Sequence, residues 1–265
     1  MEKQSLSIVE NRSLESRLGS RALLRGLENT RYRLRMADTI SDIEAAQALR
    51  FEVFNLELNE GLQASYVTGR DADPFDAVCD HLLVEEIVTG QVVGTYRLQT
   101  GLMAVAHRGF YSAQEFDFGV FDPVLGEMVE LGRACVHRSH RNLQVLSMLW
   151  RGIGSYARDR GCRYLVGCSS IPSQDPREGA SVYLELGPDH LVEGRFRTHP
   201  TPFYACPLDE QASVVPKIPP LLRAYLSLGA RICGAPALDA EFKTIDFLTW
   251  LDLQTLPATA RRIVG

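Results

Sequence analysis

The sequence predicts an α+β protein in which a mixed central sheet carries helices on both faces, a three-layer αβα sandwich. Three observations lead to this expectation. Two β-rich runs, residues 81–88 and 91–99, flank Thr89-Gly90 and read as an antiparallel hairpin. Residues 128–136 and 163–168 are strand-like and enclose a helical stretch, 143–160, in the order strand, helix, strand. The 265 residues are 45% hydrophobic and 23% charged, the balance of a chain that can bury one large core.

The elements follow in order. Residues 1–30 read as a basic amphipathic appendage, with Arg12, Arg17, Arg21 and Arg25 recurring at about a helical turn among Leu14, Leu18, Leu24 and Leu27. Such a segment can lie on an anionic membrane face or dock on its own domain. The domain proper spans residues 31–265. Ser41-Asp42-Ile43-Glu44 is expected to cap a helix that runs to about Leu58. A polar loop with Gly61 and Gly69 precedes the hairpin, and the Gly- and Phe-punctuated residues 107–123 fit no regular element. In the 143–160 helix, Leu146, Leu149, Trp150, Ile153, Tyr156 and Ala157 form the buried stripe, and Gly161 stops it. A helix over 179–186, a Pro-rich connection around residues 200–207, a helix from Pro219-Pro220 to about residue 232 and a strand over 242–251 complete the chain. There is no internal repeat, no Rossmann fingerprint and no Walker loop.

No apolar run reaches the roughly 18–20 residues of a membrane span, and the first residues lack the apolar stretch of a signal peptide. The six cysteines are scattered without a Cys-x-x-Cys pair, which argues for reduced thiols and against a zinc site. These features point to the cytoplasm. The net charge of −5 is segregated: residues 133–163 carry seven arginines against one acid, whereas residues 57–86 carry eight acids against one base. Two differently charged ligands would suit that division; so would two solvated surface patches.

Four constellations could carry chemistry. Asp73, Asp76 and Asp80 have the spacing that a helical turn would gather on one face, and three carboxylates in one place need a cation. A metal, an arginine or a substrate ammonium would serve, and the metal lacks a recognisable loop spacing. Arg50, Arg97 and Arg133 each sit in an apolar context, where an arginine must be paired. They form either a core salt-bridge lattice or a clamp for a substrate carboxylate. Glu130 and Arg133 would point to opposite faces of an ideal strand, but a bulge near Gly132 would bring them onto one face and would expose backbone N–H groups for an oxyanion. Finally, the turn around Arg138 and Arg141 opens the 143–160 helix, a place for a phosphate beside Glu130. Together these suit acyl transfer from a carrier thioester to an amine, with Glu130 as base; Cys135 and Cys168 read as small core residues.

These residues also carry a family resemblance. The runs Leu49-Arg50-Phe51-x-Val53-Phe54, Asp73-x-Phe75-Asp76-x-x-Cys79-Asp80-His81, Val93-Gly94-Thr95-Tyr96-Arg97-Leu98 and Glu130-Leu131-Gly132-Arg133 resemble the ornithine lipid N-acyltransferases. Leu149-Trp150-Arg151-Gly152-Ile153, Tyr164-Leu165-x-Gly167-Cys168 and Pro219-Pro220-Leu221-Leu222 extend the resemblance over about residues 32–255. It implies a GNAT-like fold and transfer of a 3-hydroxyacyl group from acyl carrier protein to the α-amine of ornithine, giving lyso-ornithine lipid. Acyl carrier protein is then the partner, its phosphopantetheine thioester the co-substrate, with no tightly bound cofactor, no metal, no nucleic acid and peripheral contact with the inner membrane.

By the same resemblance Glu130 is the catalytic base, and Arg50, Phe54, Asp73, Asp76, Arg97 and Arg133 are substrate-binding positions. Asp73 and Asp76 would hold the substrate cation. Cys135, Val136, Arg138, Arg141 and Asn142 would meet the acyl donor. The acyl-homoserine lactone synthases are more distantly similar. They usually carry a tryptophan shortly after the Phe, and here Trp150 and Trp250 are the only two. The GNAT phosphate loop has no clean match in residues 138–146, which favours a carrier-protein donor over coenzyme A. Lactone synthesis, acylation of glutamine or glycine, and a non-enzymatic carrier- or membrane-binding module are the alternatives.

Overall fold

The computed structural model describes residues 28–264; all but the last three residues of the expected N-terminal appendage lie outside them. Among the described residues, eight strands form a single mixed sheet: β1 (Tyr32–Met36), β2 (Asp80–Glu86), β3 (Val92–Thr100), β4 (Met128–Val136), β5 (Tyr164–Ile171), β6 (Arg231–Ile232), β7 (Ala237–Asp239) and β8 (Thr244–Asp252). The order is β1-β2-β3-β4-β5-β8-β6, with β7 also on β8. Only β4 and β5 run parallel. They are the pair joined by a helix, since a parallel connection needs a crossover.

Helices cover both faces. On one lie α1 (Ile40–Arg50), which continues as a wider π-helical segment through Glu57, the single-turn α2 (Ser65–Thr68), and α3 (Gly101–Ala106). On the other lie α4 (Leu143–Asp159), α5 (Pro176–His190), α6 (Pro220–Ser227) and α7 (Ala258–Val264). Strand parity sets the layers. Leu82, Tyr96, Leu98 and Leu131 meet Leu149, Trp150 and Ile153 of α4, while Leu83 and Cys135 face Leu49 and Phe54 from the α1 side. Gly152 belongs to this packing, because a Cβ there would lie 2.8 Å from both Leu34 and Leu82.

Several boundaries differ from expectation for local reasons. Thr39, not Ser41, caps α1: its hydroxyl accepts from Asp42 N and the Asp42 carboxylate reaches back to the cap. The helix expected to reach residue 232 ends at Ser227, because Gly229 at φ 96° turns the chain into β6. The unassigned 107–123 region becomes 3-10 turns at Ser112–Gln114 and Gly119–Glu127, which seat Phe110, Phe116 and Phe121 against Val166 and Trp250. No helix among the described residues is long and apolar enough to cross a membrane.

Candidate active site

The site grows from an irregularity in β4. Gly132 pairs with Arg97 and Cys135 with Thr95, so β4 holds one more residue than β3 across this interval. Arg133 takes φ 49°, and the expected bulge is present. Its effect is to move Arg133 onto the face that already holds Glu130, Arg97 and Gln99.

There the three arginines meet three aspartates. Arg50, 0% exposed, grips Asp76 with both terminal nitrogens (2.9 and 2.6 Å) and lies 2.8 Å from Asp71 Oδ1. Arg97 Nη1 reaches Asp73 at 2.6 Å and Asp76 at 3.0 Å. Arg133 closes the lattice at 3.0 Å to Asp73 and 3.3 Å to Asp71, its guanidinium between the rings of Tyr111 and Phe242 at 4.8 and 4.5 Å from their centroids. Phe54 joins through an edge-to-face contact with Phe242. Burial alone would raise the Asp76 carboxyl, but Arg50 and Arg97 hold it well below the usual carboxylate range. Asp73 is likewise lowered, by Arg97 and Arg133 against burial. Three cations and three anions thus neutralise one another. Asp80, expected beside Asp73 and Asp76, is not part of the lattice. Residues 74–78 form a turn and not a helix, and strand alternation sends Asp80 to the α4 side, where Tyr156 and Arg160 bind it at 2.9 and 3.0 Å. Asp71 takes its place.

Glu130 stands next to this lattice, 5% exposed. The backbone N–H groups of Tyr111 and Ser112 donate to its two oxygens, both at 2.8 Å, and fix the carboxylate plane. Burial raises the Glu130 carboxyl, with the Ser112 and Tyr111 donors and Arg97 pulling against it. Gln99 is its cross-strand neighbour on β3. The Gln99 side chain is 1% exposed, and neither its oxygen nor its nitrogen has a hydrogen-bond partner. The sequence does not single it out, because β3 also carries Thr95, Arg97 and Thr100, so one more polar residue does not stand apart.

Immediately past Glu130 the sheet opens. The β4–β5 register ends at Glu130–Val166, although β4 runs on to Val136 and β5 to Ile171. Gly167 sits where the strands diverge, and a Cβ there would be 2.2 Å from the Leu131 carbonyl oxygen. The residues expected to meet the donor lie along the far end of β4 and the turn beyond. Arg138 is exposed. Arg141 makes a two-pronged ion pair with Glu57 at 2.5 and 2.7 Å, and the Asn142 side chain caps α4 by accepting from Gln144 N and Val145 N. Val136 is half-buried opposite Gly94, whereas Cys135 turns inward to the α1 core. Burial pushes the Cys135 and Cys168 thiols up, away from thiolate chemistry.

A buried carboxylate beside a splayed parallel strand pair, on a mixed sheet with helices on both faces, is the architecture of the GNAT acyltransferases. Residues 49–151 match the acetyltransferase (GNAT) domain family. The chain is 35% identical to an L-ornithine N(alpha)-acyltransferase of Brucella abortus, with 84% of this chain and 85% of the relative covered. It is 34% identical to the enzyme of that name from Rhizobium meliloti (83% and 79% covered) and 33% identical to the one from Agrobacterium fabrum (84% and 81%). The chain belongs to the L-ornithine N(alpha)-acyltransferase family. Among solved structures, the acyl-homoserine lactone synthase LasI matches at TM-score 0.51 and 14% identity, covering 88% of this chain and 94% of its own. FeeM, an N-acyl amino acid synthase from uncultured soil microbes, matches at TM-score 0.51 and 11% identity, covering 88% and 98%. At such identities these two likenesses concern the fold alone.

Proposed function

We propose that this N-acyltransferase moves a 3-hydroxyacyl group from the phosphopantetheine thioester of acyl carrier protein to the α-amine of ornithine, giving lyso-ornithine lipid. The observation that carries the reading is the identity of 33–35% to three enzymes named for that acceptor, over about four-fifths of each chain.

The site supports it chemically. An α-amino group has a pKa of about 8 and is mostly protonated at neutral pH, so the acceptor must lose a proton before it attacks. Glu130 takes that proton, directly or through water; its raised pKa makes it a better base than an exposed carboxylate. The thioester is reactive enough to need no enzyme nucleophile. Backbone N–H groups at the β4 bulge receive the developing oxyanion, and the Arg50–Arg97–Arg133 lattice holds the bulge and the Tyr111 segment that orients Glu130. Gln99 offers its amide to the bound acceptor. The thioester arm enters between β4 and β5, with Arg138 at its phosphate and Arg141 on the same corner, which also attracts an acidic carrier protein. Peripheral membrane contact through Arg12, Arg17, Arg21 and Arg25 belongs to the same proposal, with liposome sedimentation of a charge-reversed variant as its check.

Mass spectrometry of products from purified protein, a mixture of amino acids, and 3-hydroxyacyl groups on either acyl carrier protein or coenzyme A tests the reading. N-acylornithine formed from the carrier-protein donor is the expected result. Exclusive acylation of another amino acid, or exclusive use of coenzyme A, overturns the corresponding part.

A further inference from the structure

A second group of buried acids differs from the first in having no basic partner. Glu115 lies just past the Ser112–Gln114 turn and Asp246 on β8, 1% and 4% exposed. A Glu115 oxygen, the Cys168 sulfur and an Asp246 oxygen all lie within 4.8 Å of one another. Asp239, 4% exposed, is close enough to act on both carboxyls, and Asp246 acts in turn on Glu60. Among the described residues no lysine, arginine or histidine forms an ion pair with any of these four acids. The lattice around Asp71, Asp73 and Asp76 matches every carboxylate with a guanidinium; this one has none.

Unpaired polar atoms mark the same spot. Asp246 Oδ1 and the hydroxyl of Thr244, which is 1% exposed and close enough to Asp246 to lower its carboxyl, make no hydrogen bond of good geometry. Asp246 is the β8 partner of Ser170, and parity puts it on the Cys168 and Glu130 face of the sheet. A short chain of contacts links the two places: Ser112 N donates to Glu130 at 2.8 Å, and the Cys168 sulfur lies 3.4 Å from Ser112 Oγ and 3.5 Å from Glu115 Oε2. The loop over Glu115 is pinned by Thr201 N, which donates to the Glu115 carbonyl at 2.7 Å. An open hollow of about 440 Å³, lined by Tyr204, Leu238, Asp239 and Glu241 among others, lies on the solvent side of Asp239.

We infer that Glu115 and Asp246, with the Thr244 hydroxyl, form the receptor for the side-chain ammonium of the amino-acid acceptor, so that its α-amine is directed toward Glu130. This rests on the reading of the acceptor given above and names the residues that select it. A primary ammonium has three N–H donors, which match a Glu115 oxygen, Asp246 Oδ1 and Thr244 Oγ1. Asp73 and Asp76, expected from sequence to hold that cation, already share three arginines. Burial, with repulsion from Asp239, raises both the Glu115 and the Asp246 carboxyls, and an incoming cation pulls them back down with release of protons.

Calorimetry without acyl donor tests this, using ornithine and norvaline, which has the same carbon chain without the terminal amine. The wild-type protein is expected to bind ornithine about tenfold or more tighter than norvaline. Heats in buffers of different ionisation enthalpy should show proton release on ornithine binding only. Glu115→Gln and Asp246→Asn should each reduce that preference several-fold, with melting curves confirming folded protein. Equal binding of the two amino acids by wild type, or an unchanged preference in folded Glu115→Gln, overturns the proposal. A preference that vanishes with EDTA and returns with Zn²⁺ also overturns it, since the three groups would then hold a metal. If ornithine binds as stated yet no donor yields N-acylornithine, the receptor stands and the proposed reaction fails.

Discussion

Arg133 Nη2 lies 3.0 Å from Asp73 Oδ2, and the two residues are 60 positions apart. The contact exists because β4 has one residue too many: without the bulge, parity would send the Arg133 side chain toward α4. The irregularity that assembles the ionic lattice also lies two residues from Glu130. Arg133→Ala should therefore lower activity as well as stability.

Arg50 provides the comparison. It is wholly buried and pairs with both Asp71 and Asp76. Removing one partner of a buried pair leaves uncompensated charge, typically at a cost of about 3–5 kcal/mol. Arg50→Ala is expected to lose stability in that range by urea denaturation, and Arg50→Lys to recover only part, because an ammonium cannot span two carboxylates as the guanidinium fork does.

Gly167 should tolerate no side chain. Its missing Cβ would sit 2.2 Å from the Leu131 carbonyl. Gly167→Ala must push β4 and β5 apart at the opening assigned to the thioester. A destabilisation of about 1–3 kcal/mol is expected, with a larger loss of turnover than of ornithine binding. Wild-type turnover would remove the strand opening from the account.

The two acid groups predict opposite pH responses. The folded-state pKa values of Asp73 and Asp76 are depressed, so their contribution is present above the unfolded carboxylate value of about 4 and is lost as pH falls through the folded values. Those of Glu115 and Asp246 are raised, so their contribution is present below about 4 and is lost as pH rises through the folded values. Glu115→Gln removes part of the second loss. The ligand-free variant should melt about 2–4 °C higher than wild type at pH 8 and level with it at pH 4, as scanning calorimetry can measure.

Much of this was legible in the sequence, for specific reasons. Arg50, Arg97 and Arg133 stood out because arginines among apolar neighbours must find acids. The bulge was readable from the mismatch between a three-residue Glu130–Arg133 spacing and the two-residue period of a strand. The third aspartate is not legible: the spacing of Asp73, Asp76 and Asp80 matches a helical turn, but the chain makes a tight turn there and enters β2, which sends Asp80 to the other face. Glu115 was hidden in a segment without periodicity. Asp246 leaves a fainter trace, an acid on the same parity of β8 as the core residues Leu248 and Trp250. Strands β6 and β7 have two and three residues, too short for any alternation to register.

The most direct test concerns Glu130. Acyl transfer from 3-hydroxyacyl carrier protein to ornithine should be followed for wild type and Glu130→Gln across pH 5–9, with product identified by mass spectrometry. Wild-type kcat/KM should rise through an acidic limb lying above the ordinary carboxylate range, and Glu130→Gln should be at least about 100-fold slower and lack that limb. A folded Glu130→Gln protein with wild-type turnover and an unchanged profile would contradict the account.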